Sequence, residues 1–146
     1  MYEYKYTLLE GRWGISITIF GEVYDKNDVF DEIIAVREGI YLSFSNKPLR
    51  KNEIFCKEDR EAIYKAVDML GDYIKVNSPL QNNTVIKICS LQYDLCYYQE
   101  EGMLIAMLNW CAKAFNFKLQ GIKSHFEHEK NRHIFDLSEM VVKNFE

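Results

Sequence analysis

Residues 103–115 restrict the fold more than any other segment, because almost every position in them is apolar or small. Only Asn109 and Lys113 are polar, and on an α-helix their spacing of four places them on one narrow stripe. A helix that is apolar around most of its circumference has to be buried. We therefore predict a helix over residues 99–115 inside the core of the chain, with docking onto a partner as the alternative.

Alternating runs at the start of the chain predict strands. In residues 12–20, RWGISITIF, apolar side chains alternate with small or polar ones, which is typical of a half-buried strand. Residues 3–11 alternate more weakly, and Gly11 suits the turn between the two runs. Residues 32–44 predict a hairpin around Gly39, which can adopt the positive φ that short hairpin loops often require.

The period then changes from strand to helix. Ile63, Val67 and Leu70 recur at helical spacing behind a charged first turn, so we predict a helix over residues 57–70. The following VNSPLQNN is typical of a loop, and residues 84–93, TVIKICSLQY, predict another strand.

Beyond the apolar helix, residues 119–127 and 132–137 predict two strands joined by a turn at residues 129–132. The tail, residues 138–146, is interpreted as a short docking helix capped by Ser138.

This order of elements predicts a single α+β domain over residues 1–146. We expect a mainly antiparallel sheet of about six to seven strands, with two principal helices packed on one face. A split β-α-β arrangement, which resembles the second domain of ribosomal protein S5, would also accommodate the order. That resemblance concerns the fold and implies nothing about function.

The charge balance argues against a nucleic-acid partner, since 18 basic residues face 22 acidic ones and the net charge is −4. The first ten residues lack the basic and apolar regions of a signal peptide, and no apolar run approaches the roughly 20 residues that span a bilayer. The four cysteines are scattered, so we expect reduced thiols in a cytoplasmic protein without a membrane partner.

All three histidines lie within nine positions, HFEHEKNRH, residues 125–133. His125 and His128 would face opposite sides of a strand, and they lack the set of about four ligands that zinc needs. With a turn centred near Lys130 and Asn131, His128 would lie opposite His133. We expect a solvated hairpin tip, and the alternatives are a pH-sensitive or partner contact and a metal site.

No catalytic motif is recognisable. Neither Cys89 nor Cys96 is surrounded by the residues of a known nucleophile motif, and the dispersed glycines form no phosphate-binding loop. The adjacent Glu100 and Glu101 suit a helix start better than an acid–base pair. The sequence therefore predicts neither an enzyme nor a bound cofactor or metal.

Two segments, residues 22–32 and 93–101, interleave acidic side chains with aromatic ones. Aromatic residues are typical anchors of protein interfaces, and acidic residues steer a basic partner. Alternatively, the tyrosines pack with their hydroxyls at the surface and the acids are simply solvated. The candidate partner-binding residues are Tyr24, Asp25, Asp28, Asp31, Glu32, Tyr93, Asp94, Tyr97, Tyr98, Glu100 and Glu101.

In size, acidity and lack of a catalytic motif, the chain resembles bacterial immunity proteins, which neutralise a cognate toxin inside the producing cell. The resemblance implies a basic protein partner, such as a toxin domain, whose active surface would be occluded. One alternative is an enzyme of unrecognised type that uses His125, His128 or His133. The other is a structural or assembly subunit in which the helix at residues 103–115 packs against another copy; monomer and homodimer are equally consistent with the sequence.

Overall fold

The computed structural model describes residues 1–10, 13–28, 32–94 and 98–144, which form nine strands and three α-helices. The strands are β1 (Tyr2–Glu10), β2 (Trp13–Asp25), β3 (Ile34–Arg37), β4 (Ile40–Phe44), β5 (Thr84–Tyr93), β6 (Phe117–Gln120), β7 (Lys123–Glu127), β8 (Arg132–Asp136) and β9 (Val141–Asn144). The helices are α1 (Lys57–Met69), α2 (Gly71–Asn77) and α3 (Glu100–Ala114).

The main sheet has five strands in the order β1-β2-β5-β4-β3, and only β4 and β5 run parallel. The crossover through α1 and α2 allows this parallel pairing, because parallel strands cannot be joined by a tight turn. The predicted α+β class, with a mainly antiparallel sheet, is confirmed. Since β4 and β5 are direct neighbours, this unit differs from a split β-α-β arrangement, in which another strand separates the parallel pair.

Helix α3 is buried in the core of its own chain, as predicted. It packs on β1, β2, α1 and β6, and Met103, Met107 and Trp110 are fully buried. Gly102 allows the close approach to the sheet, because a Cβ there would lie 2.8 Å from the Ile15 side chain. These fully buried side chains are therefore unavailable to another copy, which argues against the alternative of an assembly through them.

The C-terminal strands form two small two-stranded sheets that pack against the main core. The strand predicted over residues 119–127 is divided at Gly121, which has a φ of +84° and lies directly against the Glu139 carbonyl. β6 then pairs with β9, and β7 pairs with β8. The helix predicted for the tail is wrong, because the β-branched Val141 and Val142 form strand β9 beside β6.

Helix α1 ends one residue earlier than predicted, and α2 begins after Leu70. In the described part of the chain, none of the helices has the length and apolar character needed to cross a membrane.

Candidate functional site

A buried carboxylate joins α1 to both ends of the segment between β5 and α3. Asp59, the third residue of α1, is 2% exposed and accepts hydrogen bonds from the Tyr93 hydroxyl at 2.7 Å and the Tyr98 hydroxyl at 2.6 Å. The two tyrosine rings stack with their centroids 4.3 Å apart. We call these three residues the Asp59 clamp.

The clamp shows what two predicted anchor residues do. Burial first, and the Asp59 carboxylate second, raise the pKa of both Tyr93 and Tyr98. Both hydroxyls therefore stay protonated and donate hydrogen bonds to the Asp59 carboxylate. These tyrosines are half-buried structural elements, and only the remaining ring surface could contact a partner.

Raising the pH above about 10 is expected to destabilise the protein through these hydroxyls. The unfolded tyrosines ionise near their ordinary pKa of 10.0, whereas the folded ones stay protonated to higher pH. The stability that the raised pKa represents is thus complete below pH 10 and is lost as the pH rises. Urea unfolding of wild type and of the double variant Tyr93→Phe/Tyr98→Phe, at increasing alkaline pH, should show a shallower loss in the variant. Equal slopes would contradict this role.

The N-terminal parts of α1 and α3 line an open groove of about 230 Å³. The two helices pack against each other, and each begins with acidic residues, which favour a helix N-terminus. Four carboxylates therefore gather where the sequence separates them by some forty residues. The groove is lined by Glu58, Glu61, Ala62, Lys65, Glu100, Glu101 and Leu104, and we call it the acidic groove.

Chemically, the acidic groove combines negative walls with an apolar part. Ala62 and Leu104 are half-buried, whereas the four glutamates are exposed. Glu61 lies 3.8 Å from Lys57, and Glu101 pairs with Arg132. Such exposed ion pairs are weak, so a partner's cation can replace them at little cost.

The structure places the two predicted binding segments far apart. Glu100 and Glu101 line the acidic groove, while Tyr24 is paired with Val85 at the opposite end of β5 from Tyr93. Eight residues along a strand correspond to about 27 Å. Tyr93 faces the helices, because its hydroxyl bonds to Asp59 of α1. Gly21 of β2 also faces the helices, because it lies against Trp110 of α3. Tyr24 is three residues further along β2, so it lies on the other face of the sheet.

Residues 22–28 and Glu32, the described part of the first segment, are therefore separate from the acidic groove. Tyr24 is half-buried, Asp28 and Glu32 are exposed, and Asp25 accepts a hydrogen bond from the Asn27 backbone at 3.0 Å. Tyr41, which the sequence interpretation missed, lies on the same face of the sheet as Tyr24, because both are paired with Val85. Asp94 is exposed, and the candidates Asp31 and Tyr97 lie outside the described residues.

The histidine hairpin differs from its prediction in register. The turn occupies residues 128–131, so His133 lies opposite Phe126 and not opposite His128. His125 and His128 are exposed, as expected for a solvated tip, but His133 is only 1% exposed. The expectation of a solvated tip is thus wrong for His133, which packs against the Phe126 ring at a centroid distance of 5.2 Å.

Gln99 attaches this hairpin to the start of α3. Its side-chain amide donates to the His133 carbonyl at 2.6 Å and accepts from the His133 backbone N–H at 2.8 Å. A polar cleft of about 280 Å³ lies beside this contact and is lined in part by Tyr98, Lys130 and Arg132. Among residues 1–10, 13–28, 32–94 and 98–144, no group of three His, Cys, Asp or Glu side chains could hold a metal ion.

The described cysteines do not favour a nucleophile. Cys89 and Cys111 are buried, and burial raises the pKa of the Cys111 thiol. Burial also raises the pKa of Cys56, which is half-exposed beside the clamp. These two thiols therefore disfavour the reactive thiolate form. Cys96 lies outside the described residues.

Comparison with known proteins provides no family for the chain. No protein-family model matches it, and no curated protein does.

Proposed function

We propose that the chain is a protein-binding protein without catalytic activity, and that its acidic groove receives a basic side chain of the partner. The observation that carries this proposal is the convergence of Glu58, Glu61, Glu100 and Glu101 from two helices around one groove. Lys65 is the single basic residue in the lining of that groove. The net charge of −4 adds long-range attraction for the same kind of partner.

The acidic groove fits an extended lysine or arginine side chain. The aliphatic stem would pack on Leu104 and Ala62, and the cation would lie among the carboxylates. Complementary charges of this kind raise the rate of association and select the partner more than they raise affinity. The clamp beneath the helix start holds α1 and the segment before α3 in place, so the groove is formed before binding.

We propose further that the basic partner is a toxin domain and that the chain is an immunity-type inhibitor, which acts in the bacterial cytoplasm. Covering the toxin's active surface would require no chemistry from the inhibitor. In the polar cleft beside the histidine hairpin, two of the lining side chains are already engaged in the fold. The Tyr98 hydroxyl donates to Asp59, and the Gln99 amide is bonded to the His133 backbone.

Charge reversal in the acidic groove is the test. We expect Glu58→Lys/Glu100→Lys to slow partner association about tenfold at low salt, because repulsion replaces steering. The partner is first identified by affinity capture on the wild-type protein and mass spectrometry. Association and dissociation rates are then measured at low and high salt.

The matched control is Asp28→Lys/Glu38→Lys. It changes the same number of charges at exposed positions away from the groove, so both variants alter the net charge equally. The control should keep nearly the wild-type association rate. Loss of binding in the control alone would move the interface to the surface around Asp28 or Glu38 and contradict the groove. A captured partner that is not basic would contradict the proposal as a whole.

A further inference from the structure

Strand β1 forms an edge of the main sheet and is nine residues long. Within the described residues it pairs only with β2, so its other side has no strand beside it. Helix α3 packs on one face of β1, and at the start of the strand Trp110 donates to the Tyr2 carbonyl at 3.1 Å and Lys113 donates to the Glu3 carbonyl at 2.5 Å. A long edge strand with unpaired backbone groups is a template for another strand.

The side chains of β1 divide into two rows. Tyr4, Tyr6 and Leu8 face the helices, and all three are half-buried against the core. The opposite row is exposed, and Leu9, the apolar residue in that row, is 75% exposed. That exposed row consists of Glu3, Lys5, Thr7 and Leu9.

We propose that β1 pairs antiparallel with β1 of a second copy, around a two-fold axis at Tyr6. This register is centred on residues 4–8, beyond the Tyr2 and Glu3 carbonyls that accept hydrogen bonds from α3, and it places Tyr4 opposite Leu8 of the second copy. The three half-buried side chains of each copy then form one continuous apolar row, which the pairing covers further. On the other face, Lys5 lies opposite Thr7, so no two like charges are directly opposed.

The neighbouring register is less favourable. An axis at Lys5 places this residue directly against its own copy, and like charges in directly opposite positions are destabilising. Lysines on edge strands commonly prevent pairing for this reason. The axis at Tyr6 avoids that direct contact. The two five-stranded sheets become one continuous sheet, and the symmetry closes the assembly at two copies.

The test uses Thr7, an exposed residue that should face Lys5 of the second copy. Thr7→Glu creates two opposite-charge pairs across the axis, whereas Thr7→Lys creates two like-charge pairs. We expect the dimer dissociation constant to fall about threefold or more in the first variant and to rise about threefold or more in the second. Sedimentation over a wide range of protein concentration measures both constants, and the opposite charges make each variant the control for the other.

Hydrogen exchange locates the contact. At dimer-forming concentrations, amide protons of residues 2–10 should exchange more slowly, while those of β3, at the other edge of the sheet, should not change. Wild-type and Thr7→Glu proteins that both sediment as monomers would overturn the proposal. A shift of both variants in the same direction, or protection at β3 in place of β1, would overturn it as well.

Discussion

Replacing Asp59 with alanine is expected to lower the free energy of unfolding by about 3 kcal/mol or more. A hydrogen bond to a charged group contributes about 1.5–3 kcal/mol, and this carboxylate accepts two. The variant leaves the Tyr93 and Tyr98 hydroxyls without their acceptor, and it removes the contact that joins α1 to β5. Urea unfolding followed by circular dichroism measures the loss.

Smaller substitutions at the clamp show how much of the lost free energy of unfolding comes from the charge and how much from each hydrogen bond. Asp59→Asn keeps an acceptor oxygen but loses the charge, so its cost should be smaller than that of alanine. Tyr98→Phe removes one donor and should cost about 1.5 kcal/mol. Combining Tyr98→Phe with Asp59→Ala should cost less than the sum of the two, because both remove the same bond. Strict additivity would mean that the bond contributes nothing to stability.

Replacing Trp110 with alanine is expected to cost about 4 kcal/mol, within the range usual for large buried aromatic side chains. Trp110 is 0% exposed, donates to the Tyr2 carbonyl, and meets the Tyr2 ring edge-on at 6.1 Å. The substitution therefore leaves a cavity between α3 and the sheet and removes one of the two hydrogen bonds from α3 to β1. Chemical denaturation of the variant, monitored by circular dichroism, provides the measurement.

A substitution at Gly21 tests the same contact between β2 and Trp110 by adding volume instead of removing it. A Cβ on this residue would lie 2.5 Å from the Trp110 ring and 3.2 Å from the Lys87 carbonyl. We expect Gly21→Ala to destabilise the protein by overpacking, by about 1–3 kcal/mol. The smaller ring of Trp110→Phe should recover part of that loss in the double variant. A Gly21→Ala protein as stable as wild type would show that the ring moves aside freely.

Local patterns predict the strands and helices that depend on neighbours in sequence. The alternation around Ile15, Ile17 and Ile19 gives β2, and the turn at Gly39 gives the β3–β4 hairpin, because both are set by short-range periodicity and turn geometry. Helix α3 follows from its uniformly apolar composition. Strand β9 could not be predicted in this way, since its conformation depends on pairing with β6; the adjacent Val141 and Val142 were the available signal.

The candidate site depends even more on contacts between distant residues. In the sequence, Asp59 is one of several charged residues at a helix start, and nothing in the spacing connects it with Tyr93 and Tyr98. The acidic groove likewise appears only when α1 and α3 pack together. Local acidity singles out Glu100 and Glu101 as candidates, whereas Glu58 and Glu61 become candidates only through the packing of α1 against α3.

The central position of β5 has a consequence for the order in which the chain folds during synthesis. β5 lies between β2 and β4 in the main sheet. The β1–β2 hairpin and the β3–β4 hairpin therefore cannot join into one sheet until Thr84–Tyr93 have left the ribosome. Until that point, both hairpins carry an unpaired inner edge, a condition in which nascent chains are prone to pair wrongly. The central strand of the main sheet is thus the last to be added, whereas the edge strand β1 is the first to be synthesised.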